Sequence, residues 1–114
     1  MQKTTQTGEK GELLAQEFLK RKDYIILHAN WRYKHAEIDI IARDSNIMVF
    51  VEVKTRKNNR FGYPEEFVDA TKIRKMQEAA EAFIEANNWE GELRFDIISI
   101  EKDNVITHFE DAFY

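Results

Sequence analysis

A chain of 114 residues with 33% charged residues and a net charge of −4 can build one hydrophobic core but not two, so residues 1–114 are expected to form one domain. The absence of cysteine excludes disulfides and Cys-ligated zinc or iron–sulfur centres, and the acidic balance argues against a protein that coats nucleic acid by charge alone. No apolar run approaches membrane-spanning length, and Met1–Lys10 lacks the apolar segment of a signal peptide. No membrane partner is therefore expected, and a reducing, cytoplasmic setting fits.

From about Glu9 to Lys22, Leu14, Ala15, Phe18 and Leu19 recur at helical spacing. A β-rich run, YIILHANW, follows. The stretch EIDIIARDSNIMVFVEVK then reads as two strands joined by the polar turn ARDSN. RKNNRFGYP reads as a loop, with Pro64 suited to the first turn of the next helix. That helix is predicted from about Glu65 to Asn87, turning Phe67, Ala70, Ile73, Met76, Ala80, Phe83 and Ile84 inward. Two final strands, RFDIISI and VITHFE, flank the turn EKDN. The order helix, three strands, helix, two strands implies an α+β or α/β protein, with helices covering a mixed five-stranded sheet.

The central hairpin carries more charge than two buried strands should hold. Side chains alternate across a strand, so Glu52 and Lys54 share one face. With Ser45-Asn46 as a two-residue loop, Asp39 lies across from Glu52, Glu37 from Lys54 and Ile41 from Phe50. Ile38, Ile40, Val49, Val51 and Val53 would then form one clean core surface. Opposed side chains have Cβ atoms about 5 Å apart. Two carboxylates at roughly 5 Å repel by about 3 kcal/mol at an effective dielectric near 20. Lys54 offsets part of this. A divalent cation would offset more, since magnesium accepts one or two carboxylates together with water and phosphate. Phosphoryl chemistry uses that arrangement. A cross-strand ladder of salt bridges on an exposed face accounts for the hairpin equally well.

The order Asp, turn, Glu-x-Lys, here Asp39…Glu52-Val53-Lys54, is that of the PD-(D/E)xK nucleases. GEKGELLAQEFL, HANWR, AEIDIIA, FVEVKTR, FGYPEE, the Lys72 region and RFDIISI together resemble the YraN-like family of endonucleases in that superfamily, over about residues 8 to 100. Its relatives include archaeal Holliday-junction resolvases. The resemblance implies a restriction-endonuclease-like fold and a nuclease that hydrolyses phosphodiester bonds in DNA, branched or junction DNA among them, with Mg²⁺ or Mn²⁺. It implies that Asp39, Glu52 and the backbone carbonyl of Val53 hold the metal, that Glu12 on the first helix reaches it, and that Lys54 acts on the attacking water or the pentacovalent phosphate. The family usually has Gly before Glu-Ile-Asp, where this chain has His35-Ala36. Ala is a small change, and it bears on how closely substrate or backbone approaches there.

Around this motif, Arg32, Arg56, Lys57, Arg60 and Lys72 are candidates to grip the nucleic-acid backbone, although basic loops and helix-surface lysines are commonly just solvated. Trp31 is assigned to packing, and Glu37 to the margin of the site. His28, His35 and His108 show no metal-ligand spacing and receive no catalytic task. Asp96 is expected to be a hydrogen-bonded structural group. The rival to catalysis is a non-catalytic nucleic-acid-binding module that keeps the scaffold. A homodimer would suit a nuclease that cuts two strands, but no interface is marked in the sequence.

Overall fold

The computed structural model describes residues 5–55 and 70–113, with side chains from residue 10 onward. Helix α1 spans Thr5–Arg21, and three strands follow: β1 Ile25–Tyr33, β2 Ala36–Asp44 and β3 Ile47–Thr55. Helix α2, Ala70–Ala86, leads to β4 Glu92–Glu101, a 3₁₀ turn at Lys102–Asn104 and β5 Val105–Phe109. The strands lie in chain order in one five-stranded sheet. β3 and β4 run parallel, with α2 between them in sequence, and the other neighbours are antiparallel. This mixed α+β arrangement is the one expected, and it is compatible with a restriction-endonuclease-like fold. Among the described residues no helix is long and apolar enough to cross a membrane.

Both helices stop by the same device. Asp23 takes a φ of 70° and Asn88 a φ of 51°, left-handed conformations that short polar side chains tolerate. The chain then turns back: Tyr24 N–H donates to Leu19 O at 3.0 Å, and Trp89 N–H to Ile84 O at 3.1 Å. Asp23 N–H to Lys20 O and Asn88 N–H to Glu85 O complete two Schellman caps, which satisfy the last carbonyls of each helix.

The sheet is covered on both faces. On one face Ala15 and Leu19 of α1 pack with Tyr24, Ile40, Ala42, Val49, Val51, Ile98 and Ile100. On the other, Met76, Ala80 and Phe83 of α2 pack with Ile41, Met48, Phe50, Phe95 and Ile97. Being buried on both sides, β3 and β4 need nearly unbroken apolar runs, which is why MVFV and FDIISI read so. Full burial of a side chain such as Phe50 or Leu19 contributes about 1.5–3 kcal/mol.

Two expectations change. Ile38 does not join Ile40 on the α1 side but packs in the α2 cluster. The β2–β3 ladder ends at Ile40↔Val51, and on its other side β2 is paired Ile38↔Trp31, whose indole meets Phe83 of α2 edge-on. Regular alternation therefore lapses around Asp39. Secondly, Ala70 is exposed rather than turned inward, because it opens α2 at the helix end. β1 itself shifts register between Ile26 and His28, so Ile26 packs toward α1 while the His28 ring meets Phe83 on α2. The loop RKNNRFGYP, Pro64 and Phe67 lie outside the described residues.

Candidate functional site

The register of the central hairpin is the one the two-residue turn requires: Asp44 pairs with Ile47, Ile41 with Phe50 and Ile40 with Val51. Ser45 absorbs the turn with a φ of 55°. Beyond Ile40↔Val51 the backbone ladder gives way to a side chain, since Val53 N–H donates to Asp39 Oδ2 at 2.8 Å. Asp39 and Glu52 then line one cavity of about 400 Å³ with Glu37, His35, Ala36, Thr71, Lys72, Lys75 and Met76. The two carboxylates converge on one face of the sheet, as the motif demands.

Glu52 is buried, with 5% of its surface exposed, and it is strongly countered. Lys72 Nζ donates to Glu52 Oε2 at 2.6 Å, and Lys54 Nζ stands 3.4 Å from the same oxygen. Burial alone would lower the Lys72 ammonium, but the hydrogen bond and charge of Glu52, with Asp39 behind it, raise it. Lys72 is thus held firmly cationic. The ion pair of Lys54 is with Glu52 rather than with Glu37, which pairs across the strands with Arg32.

Asp39 has the opposite balance. Burial pushes its carboxyl up to about 7, the charges of Glu52, Glu12 and Glu37 add to the rise, and the Val53 N–H opposes it. Such a group is short of positive charge. Glu12 reaches it because α1 packs tightly on the end of β3: a Cβ on Gly11 would meet Thr55 Oγ1 at 2.5 Å, so only glycine permits that seating without displacement.

The structure therefore brings together Asp39, Glu52, Lys54 and Lys72, with Glu12 within electrostatic reach. The Val53 carbonyl belongs to the peptide that joins Val53 to Lys54. Arg32 is exposed on the edge strand β1 and does not line the cavity. Arg56, Lys57 and Arg60 lie outside the described residues. Reading the sequence missed the direct bond from Lys72 to Glu52. The available signal was spacing: Lys72 precedes Met76 by four residues, so it lies at the start of the α2 stripe that turns toward the sheet.

A second polar network lies across the sheet, on the α1 side. Asp96 is fully buried and accepts from Arg94 Nε and Nη2, each at 2.9 Å, and from Asp111 N–H at 3.0 Å. His108 Nε2 lies 2.7 Å from Asp96 Oδ2, and Lys22 Nζ lies 2.8 Å from His108 Nδ1. With Lys22 donating, Nδ1 accepts and Nε2–H donates to Asp96. Burial would raise the Asp96 carboxyl, yet the bonds from His108, Arg94 and Asp111 outweigh it and hold it below the usual carboxylate range. Asp96 is hydrogen-bonded as expected, and His108 is one of its partners.

A family model described as "Uncharacterised protein family UPF0102" matches residues 11–100. The chain belongs to this family. A UPF0102 protein of Flavobacterium psychrophilum is 48% identical over 110 residues, covering 94% of this chain and 92% of that protein. A UPF0102 protein of Cytophaga hutchinsonii is 46% identical over 107 residues, covering 94% and 95%. One from Caldicellulosiruptor saccharolyticus is 46% identical over 94 residues, covering 82% and 80%. UPF0102 is the YraN-like family whose motifs run through the chain. The matched span takes in Glu12, Asp39, Glu52, Lys54 and Lys72, and the relatives' names state the family and no reaction.

Proposed function

We propose that this chain is a metal-dependent nuclease of the restriction-endonuclease-like superfamily, hydrolysing phosphodiester bonds in DNA. The observation that carries the proposal is the convergence of Asp39, Glu52 and Lys72 on one cavity, with Lys54 ion-paired to the same Glu52 oxygen. Superfamily and substrate rest on the motif resemblance, since one scaffold hosts many functions. A cytoplasmic setting is part of the same proposal.

The residues fit a hard divalent cation. Among the described residues no group of three His, Cys, Asp or Glu forms a ready-made cage. Mg²⁺ does not need one, since one or two carboxylates, water and substrate phosphate suffice. The raised Asp39 carboxyl marks where negative charge is under-compensated. Asp39 and Glu52 would hold Mg²⁺ or Mn²⁺, with the Val53 carbonyl as a further oxygen and Glu12 assisting from α1. When bound, the metal supplies charge neutralisation on the phosphate and a more acidic water.

The chain's own groups do the rest. Lys54, fixed on β3, orients the attacking water and stabilises charge on the pentacovalent phosphorus. Lys72 and Lys75 on α2 face the cavity and hold the phosphodiester in line. The decisive experiment incubates the protein with branched, duplex and single-stranded DNA in Mg²⁺ and in Mn²⁺, beside Glu52→Ala. Cleavage lost in the variant supports the proposal. Salt-sensitive binding with no cutting by either protein would establish the non-catalytic binding module instead, a reading favoured by the ammonium already seated on Glu52.

A further inference from the structure

The Glu52 carboxylate, with its side chain 7% exposed, already carries a cation: Lys72 Nζ is 2.6 Å from Oε2. The two lysines at that oxygen are not equivalent. Lys54 lies two residues along the same strand, so β3 keeps its ammonium near Glu52 at 3.4 Å. Lys72 comes from another element, on a long flexible stem whose side chain is 41% exposed at the cavity mouth. It can turn toward an incoming phosphate without any change of backbone.

Resting on the metal-dependent reading, we propose that Lys72 occupies the cation position on Glu52 until a substrate phosphate draws it away, so that metal and phosphodiester bind cooperatively. Glu52 would have to share its carboxylate between that ammonium and an incoming ion. An ammonium on the same oxygen competes for its lone pairs and repels the ion. When a phosphate oxygen accepts Lys72, both obstacles disappear together. Coupling of this kind is reciprocal: the phosphodiester tightens metal binding by the factor by which metal tightens phosphodiester binding. α2 thereby restricts the loaded site to molecules that already hold substrate.

The test is Mn²⁺ affinity, measured by titration calorimetry on wild type, Lys72→Met and Lys72→Arg, with and without a phosphorothioate duplex that resists hydrolysis. Met keeps helix propensity and stem length, so α2 is retained. Lys72→Met should bind Mn²⁺ about tenfold more tightly than wild type without DNA, the effect of removing one screened like charge. Lys72→Arg should remain near wild type. The duplex should tighten Mn²⁺ binding to wild type and have much less effect on Lys72→Met. Equal or weaker Mn²⁺ binding by Lys72→Met would overturn the inference alone, making Lys72 a support for Glu52. No Mn²⁺ binding by any of the three proteins would overturn the metal-dependent reading and the inference with it.

Discussion

Asp39 accepts the Val53 N–H through a carboxylate oxygen at 2.8 Å, just where the backbone ladder between their strands has ended. The acid thus substitutes for a rung of the sheet while facing the cavity with its remaining lone pairs. Its carboxyl is pushed up to about 7 from 3.8, by burial first and then by the charges of Glu52, Glu12 and Glu37. Between those values the folded protein holds a proton that the unfolded chain has released. The associated stabilisation is complete below the unfolded value and is lost as pH rises through about 7. Asp39→Asn keeps an acceptor for Val53 and removes the charge. It should match wild type near pH 4 and exceed it at pH 8 by about 1–3 kcal/mol, after discounting for partial exposure. Urea midpoints at the two pH values measure this, and an unchanged gap between them would refute the electrostatic account.

The same group sets the pH dependence of cation binding. A proton on Asp39 occupies an oxygen the cation needs, so Mn²⁺ affinity should rise about tenfold per pH unit below the Asp39 value. It should level off above it. Thermal shift gives the readout, because ligand at about 100 times its dissociation constant stabilises by about 2.7 kcal/mol. Wild type should need less Mn²⁺ for that shift at pH 8 than at pH 6. Asp39→Asn should need much more at both.

Lys54 should separate chemistry from fold. It stands at the exposed end of β3, and its ion pair is to a carboxylate that Lys72 also holds. Lys54→Ala should leave the thermal midpoint within a few degrees and reduce DNA cleavage about 10²–10⁴-fold, the scale of a lost positioned acid or charge stabiliser. Cleavage at the wild-type rate by carefully purified Lys54→Ala would remove Lys54 from the mechanism.

The hairpin was legible in the sequence because a two-residue turn and a period of two leave one register. That register alone brought Asp39 toward Glu52. Ile38 was misplaced for a matching reason: its letter alternates correctly, while its facing is decided by where the ladder stops and by Trp31 on the neighbouring strand. The partner of Lys72 was hidden because it depends on where α2 sits on the sheet. The bond between Lys22 and His108 joins positions 86 residues apart, which no local pattern encodes.

The Asp96 network predicts a loss of stability without a loss of chemistry. Removing one member of a buried, hydrogen-bonded ion pair strands the other, at about 3–5 kcal/mol. Asp96→Ala should lower the denaturation midpoint accordingly, since it strips Arg94, His108 and the Asp111 N–H of their acceptor. The Asp96 contribution is present above the ordinary aspartate value and falls away as pH drops toward its depressed one. Wild type should therefore lose more stability than Asp96→Ala on acidification. Cleavage per folded molecule at low temperature should remain close to wild type, because the network faces α1 and not the cavity.

Gly91 offers a purely steric test at the far end of the sheet. Its neighbour Glu92 donates its N–H to Asn46 O at 2.9 Å, and Trp89 Nε1 donates to Glu92 O at 2.9 Å, so the β2–β3 turn and the start of β4 are clamped together. A Cβ at Gly91 would come within 2.5 Å of both Asn46 O and Trp89 Cζ2. A backbone carbonyl cannot turn aside as a side chain can, so Gly91→Ala has to open the clamp or tilt the indole, at about 1–3 kcal/mol. Gly11→Ala meets only the Thr55 hydroxyl at comparable range, and alanine adds helix propensity there. The Gly91 variant should therefore be the less stable of the two in urea. The Gly11 variant should show the larger loss of cleavage, because Thr55 adjoins Lys54 and any shift there moves α1, and Glu12 with it, relative to the acids. Reversal of that order would mean that the seating of α1 on β3 does not govern the site.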